Sequence, residues 1–182
     1  MLAPEIESRP WMEQFVIDDA LYRTQLHYLF ERSAFYREKL KAAGFASASE
    51  AGSLAEIAQL AFTEKSEIRA SCTPENPIGT HLCVDRSEII RIYSTSGTTG
   101  TPSYIPLTAG DLDRWTTTSA RSYSASGVEA GQRIVSTYNA GPFVAGAALG
   151  AFDKLGMCHI PVGTGNTERL MAAIKMLKPE AA

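Results

Sequence analysis

From residue 87 onward, segments typical of β-strands alternate with segments typical of helices. The run EIIRIYS is rich in β-branched and aromatic residues, as strands are, and SYIPL, RIVSTYN and MCHIPV are similar. A helical pattern follows each of the last three runs. Strands that alternate with helices of this length are typical of a layered α/β sheet with parallel members. The alternation therefore predicts an α/β fold for residues 87–182.

The helices in this part of the chain have recognisable ends. Thr108 and Asp111 form a variant of the capping box, which predicts a helix that reaches Ser126. The small-residue run GPFVAGAALGAFDKLG predicts a second helix that ends at Gly156. NTERLMAAIKMLK predicts the last helix, which Pro179 ends.

The residues before this alternation have a mainly helical pattern. Leu26 and Leu29 share one helix face with their apolar neighbours, and SAFYREKLKAAG predicts a further helix that stops at Gly44. SLAEIAQL and TEKSEIRAS are shorter amphipathic pieces. The sequence therefore predicts two regions, a helical N-terminal one over 1–86 and a partial α/β subdomain over 87–182.

Composition and charge argue against several classes of partner. The chain has 182 residues, 45% of them hydrophobic, and its 17 Lys and Arg against 20 Asp and Glu give a net charge of -3. Nucleic acids and anionic membranes call for a basic face, so we expect neither as a partner. The longest uncharged stretch, 134–152, is interrupted by polar residues, proline and glycine, and its apolar part is too short to span a bilayer.

The cysteines and the N-terminus bear on location. Cys72, Cys83 and Cys158 form neither a CxxC pair nor an even framework for disulfides. The first residues carry glutamates where a signal peptide needs a basic start and an apolar run. We therefore expect a reduced, cytoplasmic protein.

Several cysteine and histidine residues are candidates for binding a metal ion. Cys72, His81 and Cys83 could supply three ligands, with Cys158 and His159 as further candidates. Tetrahedral zinc sites usually show tight CxxC or HxxxH pairs, and this spacing is loose. We favour buried thiols and a surface histidine over a metal site, which stays open as the alternative.

The strongest local feature is the loop YSTSGTTGTPS, which follows the first strand and covers residues 94–103 with Tyr93 before it. Its two glycines allow a tight turn and close approach of the backbone to a ligand. Successive backbone N–H groups and side-chain hydroxyls in such a turn form an anion site, although a polar hairpin loop has the same composition. The candidate phosphate-binding residues are Thr95, Ser96, Gly97, Thr98, Thr99 and Gly100.

Two other phosphate-binding loops do not fit this sequence. A Walker A loop needs GxxxxGK[ST], whereas Gly97 and Gly100 are too close together and no lysine lies between Lys65 and Lys154. A dinucleotide fingerprint needs GxGxxG, whereas the run GTGNTE places Glu168 at the third glycine position. We interpret that run as a turn in which Asn166 or Thr167 caps the following helix.

The string STSGTTGTPS resembles the phosphate-binding signature of the adenylate-forming superfamily of acyl- and aryl-CoA synthetases. Other segments, in the same order, resemble the phenylacetate–coenzyme A ligase family. They are ERSAFYREKLKAAGF, FTEKSEIRAS and TYNAGPFVAGAALGAFDKLGMCHIPVGTGNTERLMAAIKMLKPE. This resemblance covers nearly the whole chain. It implies a helical N-terminal segment followed by an incomplete layered α/β sheet of the adenylate-forming type.

The resemblance also implies a two-step reaction. A small aromatic carboxylate, such as phenylacetate, attacks the α-phosphate of Mg²⁺-bound ATP, which gives an acyl-adenylate and pyrophosphate. The thiol of coenzyme A then displaces AMP. Residues Ser96–Gly100 would hold the β- and γ-phosphates, with Thr95 as a lesser member. Family loops commonly carry a lysine beside the proline, where this chain has Thr101 and Ser103, so we expect weaker ATP binding or altered activity.

The substrate pocket implied by the resemblance lies after the next strand. The matching positions are Tyr138, Phe143, Ala145 and Gly146. Small residues there leave room for a flat ring, and the aromatic residues can pack against it. The alternative is that a helix rich in glycine and alanine packs closely on a sheet.

Elements that the family carries downstream are missing from this sequence, among them the glutamate that meets Mg²⁺, the ribose-binding aspartate and the mobile domain with its lysine. We therefore expect the N-terminal part of an aryl-CoA ligase that is inactive by itself, and we assign none of its residues a catalytic role. The alternatives are a truncated nucleotide- or acyl-binding protein, or half of a split enzyme. A homodimer or a partner chain would then cover the incomplete sheet.

Overall fold

The computed structural model describes residues 2–95, 102–138 and 145–182, with Ala145 described by its backbone only. The described residues form two compact units, one of 8–89 and one of 2–7 together with 90–182. A compact unit is not necessarily a domain, so the predicted division of the chain at residue 87 stays a prediction.

The unit of residues 8–89 is helical. The first helix in the chain, α1 (Pro4–Glu7), has a single turn and belongs to the unit that contains residues 90–182. The helices of the 8–89 unit follow it. They are α2 (Trp11–Arg32), α3 (Ala34–Ala42) and α4 (Lys65–Ala70), with 3-10 turns at Ala48–Ala51, Leu54–Gln59 and Arg86–Glu88. The predicted helical N-terminal segment is confirmed.

Ser33 separates the two longest helices of this unit. Its extended backbone, with φ -114°, ends α2, and its Oγ accepts a hydrogen bond from the Tyr36 N–H as the N-cap of α3. The same hydroxyl donates to the Thr80 carbonyl at 3.2 Å, which ties the bend to a distant part of the chain. Ser33 is fully buried, and these bonds satisfy it there.

The other unit contains the strands. Its elements are β1 (Ile89–Ser94), β2 (Tyr104–Thr108), α5 (Ala109–Ala125), β3 (Arg133–Ser136), α6 (Ala145–Leu155), β4 (Cys158–Pro161) and α7 (Thr167–Leu177). β1 and β2 form one two-stranded sheet, and β3 and β4 form another. β3 and β4 are parallel, with Ile134 opposite His159 and Ser136 opposite Pro161. The predicted parallel pairing, with a helix between the two strands, is confirmed.

The chain beyond α7 adds to the parallel sheet. Ala181 forms a parallel bridge with Ile134, and its carbonyl accepts a hydrogen bond of 3.0 Å from the Val135 N–H. The Glu180 N–H donates to the Arg133 carbonyl, also at 3.0 Å. β3 therefore lies between β4 and residues 180–181.

The largest apolar cluster lies between α5, α6 and the parallel sheet. Its buried members are Ala120, Ile134, Leu149, Ala151, Phe152, Leu155 and Met157. A Cβ added to Gly150 would lie 3.1 Å from Thr116 Cγ2 on α5. The small residues of α6 therefore allow it to pack closely on α5.

The predicted helix ends agree with the structure. The Thr108 hydroxyl accepts from the Asp111 N–H at 3.2 Å, and Asp111 Oδ2 accepts from the Thr108 N–H at 3.0 Å, which completes the capping box of α5. Asn166 Oδ1 accepts from the Arg169 N–H at 2.8 Å and caps α7. The described helices include none with the length and apolar character needed to cross a membrane.

Candidate functional site

The predicted phosphate loop is closed by hydrogen bonds at its base. The Thr95 N–H donates to the Ser103 carbonyl at 3.0 Å, and the Ser103 N–H donates to Thr95 Oγ1 at the same distance. The two ends of the loop therefore lie side by side. The other candidate residues, Ser96–Gly100, and the neighbouring Thr101 fall outside the described residues.

The strands on either side of this loop have a buried anchor. Tyr93 of β1 and Leu107 of β2 are 5% and 6% exposed, and they pack in one apolar cluster with Ala147 of α6. Leu112 and Trp115 of α5 pack against the same cluster. The strands that flank the loop are therefore packed against α6, which also contributes to the second part of the candidate site.

That second part is a cleft at the carboxyl ends of β3 and β4. It has a volume of about 420 Å³ and is open to solvent. Its walls are formed by Tyr138, Leu149, Gly150, Asp153, His159, Pro161, Val162 and Gly163. Open α/β sheets bind ligands at the carboxyl ends of their strands, so the position suits a ligand.

The residues predicted for the acyl pocket are only partly seen here. Tyr138 lines the cleft, and 60% of it is exposed. Gly146, in the first turn of α6, is not among the described residues that line it. Phe143 falls outside the described residues, as does the side chain of Ala145, which begins α6. The assignment of these four residues to substrate stays a prediction.

The structure adds a polar pair that the sequence analysis did not identify. Ser136 Oγ lies 2.8 Å from His159 Nε2, and Ser136 is buried. The imidazole ring lies 4.9 Å from the Phe152 ring, tilted by 54°. Burial lowers the pKa of His159, and the nearby charge of Asp153 acts in the opposite direction. The pair forms because parallel pairing aligns β3 with β4, and that register could not be read from the sequence.

The residues considered as metal ligands have other contacts. Cys72 Sγ donates to the Ile68 carbonyl, Cys83 Sγ donates to the His81 carbonyl, and His81 Nδ1 lies 3.2 Å from the Ser71 hydroxyl. Burial lowers the pKa of His81 and raises the pKa of Cys83. Across the described ranges, no three His, Cys, Asp or Glu side chains are grouped closely enough to hold a metal ion.

The fold is similar to that of solved CoA ligases. An open conformation of 2-hydroxyisobutyryl-CoA ligase, in complex with 2-HIB-AMP and CoA, matches 93% of this chain with a TM-score of 0.84 and 24% identity. The same enzyme in its thioesterification state matches with a TM-score of 0.82 and 26% identity. These matches cover 40% and 36% of the solved chains. The fold class is therefore that of the adenylate-forming CoA ligases, as predicted.

Sequence comparison leads to a particular family within this class. The phenylacetate-coenzyme A ligase of Thermus thermophilus is 33% identical over 181 residues, which is 99% of this chain and 39% of the relative. The enzymes of Aromatoleum evansii and Escherichia coli, with the same name, are 34% and 31% identical over 85% of this chain. No family model matches the sequence. The chain is related to the phenylacetate–coenzyme A ligase family, and it spans between about a third and two fifths of the length of these relatives.

Proposed function

We propose that the chain is part of an ATP-dependent aryl-CoA ligase. The reaction joins a small aromatic carboxylate, such as phenylacetate, to coenzyme A through an acyl-adenylate, and it releases AMP and pyrophosphate. The observation that carries this proposal is the loop STSGTTGTPS between two hydrogen-bonded strands, closed at its base by Thr95 and Ser103. The names of the relatives, and the acyl-AMP and CoA bound in the solved ligases, support it.

The loop is proposed to hold the polyphosphate of ATP. Ser96, Gly97, Thr98, Thr99 and Gly100 would donate backbone N–H groups and hydroxyls to the β- and γ-phosphates. Transfer at the α-phosphate depends on positioning and on stabilising the charge of the leaving pyrophosphate. Because no lysine stands beside Pro102, this chain has fewer cationic contacts to offer, and we expect its ATP binding to be weak.

The cleft is proposed to hold the acid. Tyr138, Leu149 and Val162 give it aromatic and aliphatic walls, which suit a flat ring. Phe143, Ala145 and Gly146 are retained as further candidates because the resemblance places them at the start of the same helix.

The proposed reaction uses Mg²⁺ and coenzyme A. We propose that it takes place in the cytoplasm. Magnesium binds through carboxylates and phosphate oxygens. The described residues provide no cluster of acidic side chains that could hold a metal ion, so we assign Mg²⁺ to the phosphates of ATP and derive no step through it. No residue is assigned to coenzyme A.

A second candidate is that the chain works as half of a split ligase. It would then pair either with a second copy of itself or with a different partner chain. The observation that favours it is a group of exposed apolar side chains on α7. Its residues Met171, Met176 and Leu177 are 59%, 77% and 46% exposed. Several exposed apolar side chains on one short helix favour contact with another chain.

The phosphate assignment is tested by the double substitution Thr98→Val with Thr99→Val. If the hydroxyls bind phosphate, ATP raises the melting temperature of the parent chain and has little effect on the double variant. Ligand at a hundredfold excess over its Kd stabilises a protein by about 2.7 kcal/mol, which a thermal scan detects readily. The two losses need not add, because both residues serve one ligand.

The matched control is Thr118→Val, which removes the hydroxyl of an exposed residue of α5. We expect this variant to respond to ATP as the parent does. An undiminished ATP shift in the Thr98 and Thr99 double variant would contradict the proposal and leave the loop as a turn.

A further inference from the structure

The polar pair Ser136 and His159 is held in one arrangement by the parallel sheet. Ser136 is the last residue of β3, and its carbonyl accepts a hydrogen bond of 2.9 Å from the Val162 N–H just beyond β4. Its side chain reaches His159 Nε2 at 2.8 Å. Phe152 of α6 contacts the imidazole at 4.9 Å between ring centres. The imidazole therefore has a fixed position in the wall of the cleft.

The contact with Ser136 leaves part of the hydrogen-bonding capacity of His159 available. A neutral imidazole has one donor and one acceptor nitrogen. Ser136 engages Nε2, in either hydrogen-bonding sense, so Nδ1 is the ring atom left to meet another group. Burial lowers the pKa of His159, which favours the neutral form of the ring.

The rest of the cleft restricts what this group can meet. Its other walls include Tyr138, Leu149 and Val162, which favour an apolar ring. Asp153 also lines the cleft, and its negative charge repels a second carboxylate. The acid group of a substrate should therefore point away from this end of the cleft, and the far side of the ring should face His159.

We propose that Ser136 and His159 form a hydrogen-bonding subsite for a hydroxyl group on the ring of the substrate acid. A hydroxyl both donates and accepts, so it is complementary to either tautomer of the imidazole. The preferred acids are then hydroxylated aromatic carboxylates rather than unsubstituted phenylacetate. This inference rests on the proposed function, because it requires the acid to enter this cleft.

The test compares the binding of two acids, phenylacetate and 4-hydroxyphenylacetate, by titration calorimetry on the 182-residue chain with and without ATP. We expect the hydroxylated acid to bind about tenfold more tightly, the effect of one well-made hydrogen bond. His159→Phe keeps an aromatic ring against Phe152 and removes both nitrogens, so it should abolish the preference. Ser136→Ala should reduce it.

The matched control is His27→Phe on α2. His27 has a side chain that is 68% exposed, and its Nδ1 lies 3.3 Å from Glu31 Oε1, so its replacement should leave the preference unchanged. Nitrogen NMR of the imidazoles gives a second readout. The resonances of His159 should shift with 4-hydroxyphenylacetate and much less with phenylacetate.

The possible failures are distinguishable. Equal binding of the two acids, or a loss of both in His159→Phe to the same extent, would overturn the subsite and leave the proposed function standing. If neither acid bound at millimolar concentrations, the acid site of the proposed function would fail, and the subsite with it. The response of the melting temperature to ATP reports on the phosphate loop independently of either result.

Discussion

Arg133 and Glu180 are joined by several hydrogen bonds at one edge of the parallel sheet. Glu180 Oε2 accepts from the Arg133 backbone N–H at 2.7 Å and from its Nε at 3.2 Å, and Oε1 accepts from Nη2. The hydrogen bonds from the Arg133 side chain, followed by those from its backbone, hold the pKa of Glu180 at about 2. The charged carboxylate thus ties residues 180–181 to β3.

Glu180→Gln should destabilise the chain in a pH-dependent way. The pKa of Glu180 is lower in the folded chain than its ordinary value of 4.5. Its contribution to stability is therefore complete above about pH 5 and is lost as the pH falls toward 2. We expect the melting temperature of the variant to lie below that of the parent at pH 7, and the difference to shrink on acidification. Differential scanning calorimetry measures both.

Glu75→Gln is the control for this comparison, because Glu75 is an exposed residue that belongs to the helical unit of residues 8–89. It should change the melting temperature little at any pH. A difference between Glu180→Gln and the parent that stayed constant down to pH 3 would show that the carboxylate charge is not its source. Added salt should also reduce the difference, since both partners are partly exposed.

Contacts between residues that are close in sequence could be predicted, and distant ones could not. The capping pair Thr108 and Asp111 is three residues apart and follows from a known local pattern. Arg133 and Glu180 are 47 residues apart, and Ser136 and His159 are 23 apart. Such pairs depend on strand register and tertiary packing, which a single sequence does not specify.

Among the elements, α5 connects the two parts of the candidate site. Its residues Leu112 and Trp115 pack against the cluster that contains Tyr93 of β1 and Leu107 of β2, and Ala120 packs in the cluster that supports the cleft. The capping box at Thr108 fixes where the helix begins, directly after β2. The stability of α5 should therefore affect the whole unit.

Thr108→Ala should lower the free energy of unfolding by about 1 kcal/mol, because the Asp111 N–H loses its side-chain acceptor. Urea denaturation measures the change, and the slope of the transition should stay the same. The control is Thr118→Ala on the exposed face of α5, where the hydroxyl bonds only to the Arg114 carbonyl of its own helix. The two variants should differ clearly, and equal stability would exclude the capping box as a significant contribution.

Helix ends were more predictable than strand ends. The last residue of α6, Leu155, precedes Gly156, whose φ of 71° suits glycine. The predicted end of this helix is therefore confirmed. The strand predicted from RIVSTYN ends earlier, at Ser136, because its partner β4 ends opposite, at Pro161. A helix carries its own hydrogen bonds and its own caps, whereas the length of a strand depends on its neighbour.

At the scale of the whole molecule, the order of the motifs indicated the fold class more strongly than any one of them. The phosphate-loop string alone also fits a polar hairpin loop. The series of family segments from Glu31 to Glu180 led to the ligase fold, which the TM-score of 0.84 confirms. The pairing of the strands into two separate two-stranded sheets was not predictable, because alternation identifies strands and does not state which of them are neighbours.

We predict that the 182-residue chain alone does not form acyl-adenylates. Adenylation needs groups that stabilise charge on the α-phosphate and on the leaving pyrophosphate. The chain spans 39% of the Thermus thermophilus relative, and its described residues hold no acidic cluster for a metal ion. Exchange of labelled pyrophosphate into ATP, with phenylacetate or 4-hydroxyphenylacetate present, should therefore stay at background, while the Thermus thermophilus enzyme serves as the positive control. Exchange that rose above background and disappeared in the Thr98 and Thr99 double variant would contradict this prediction. It would show that the 182-residue chain suffices for adenylation, and the proposed function would then apply to the chain by itself.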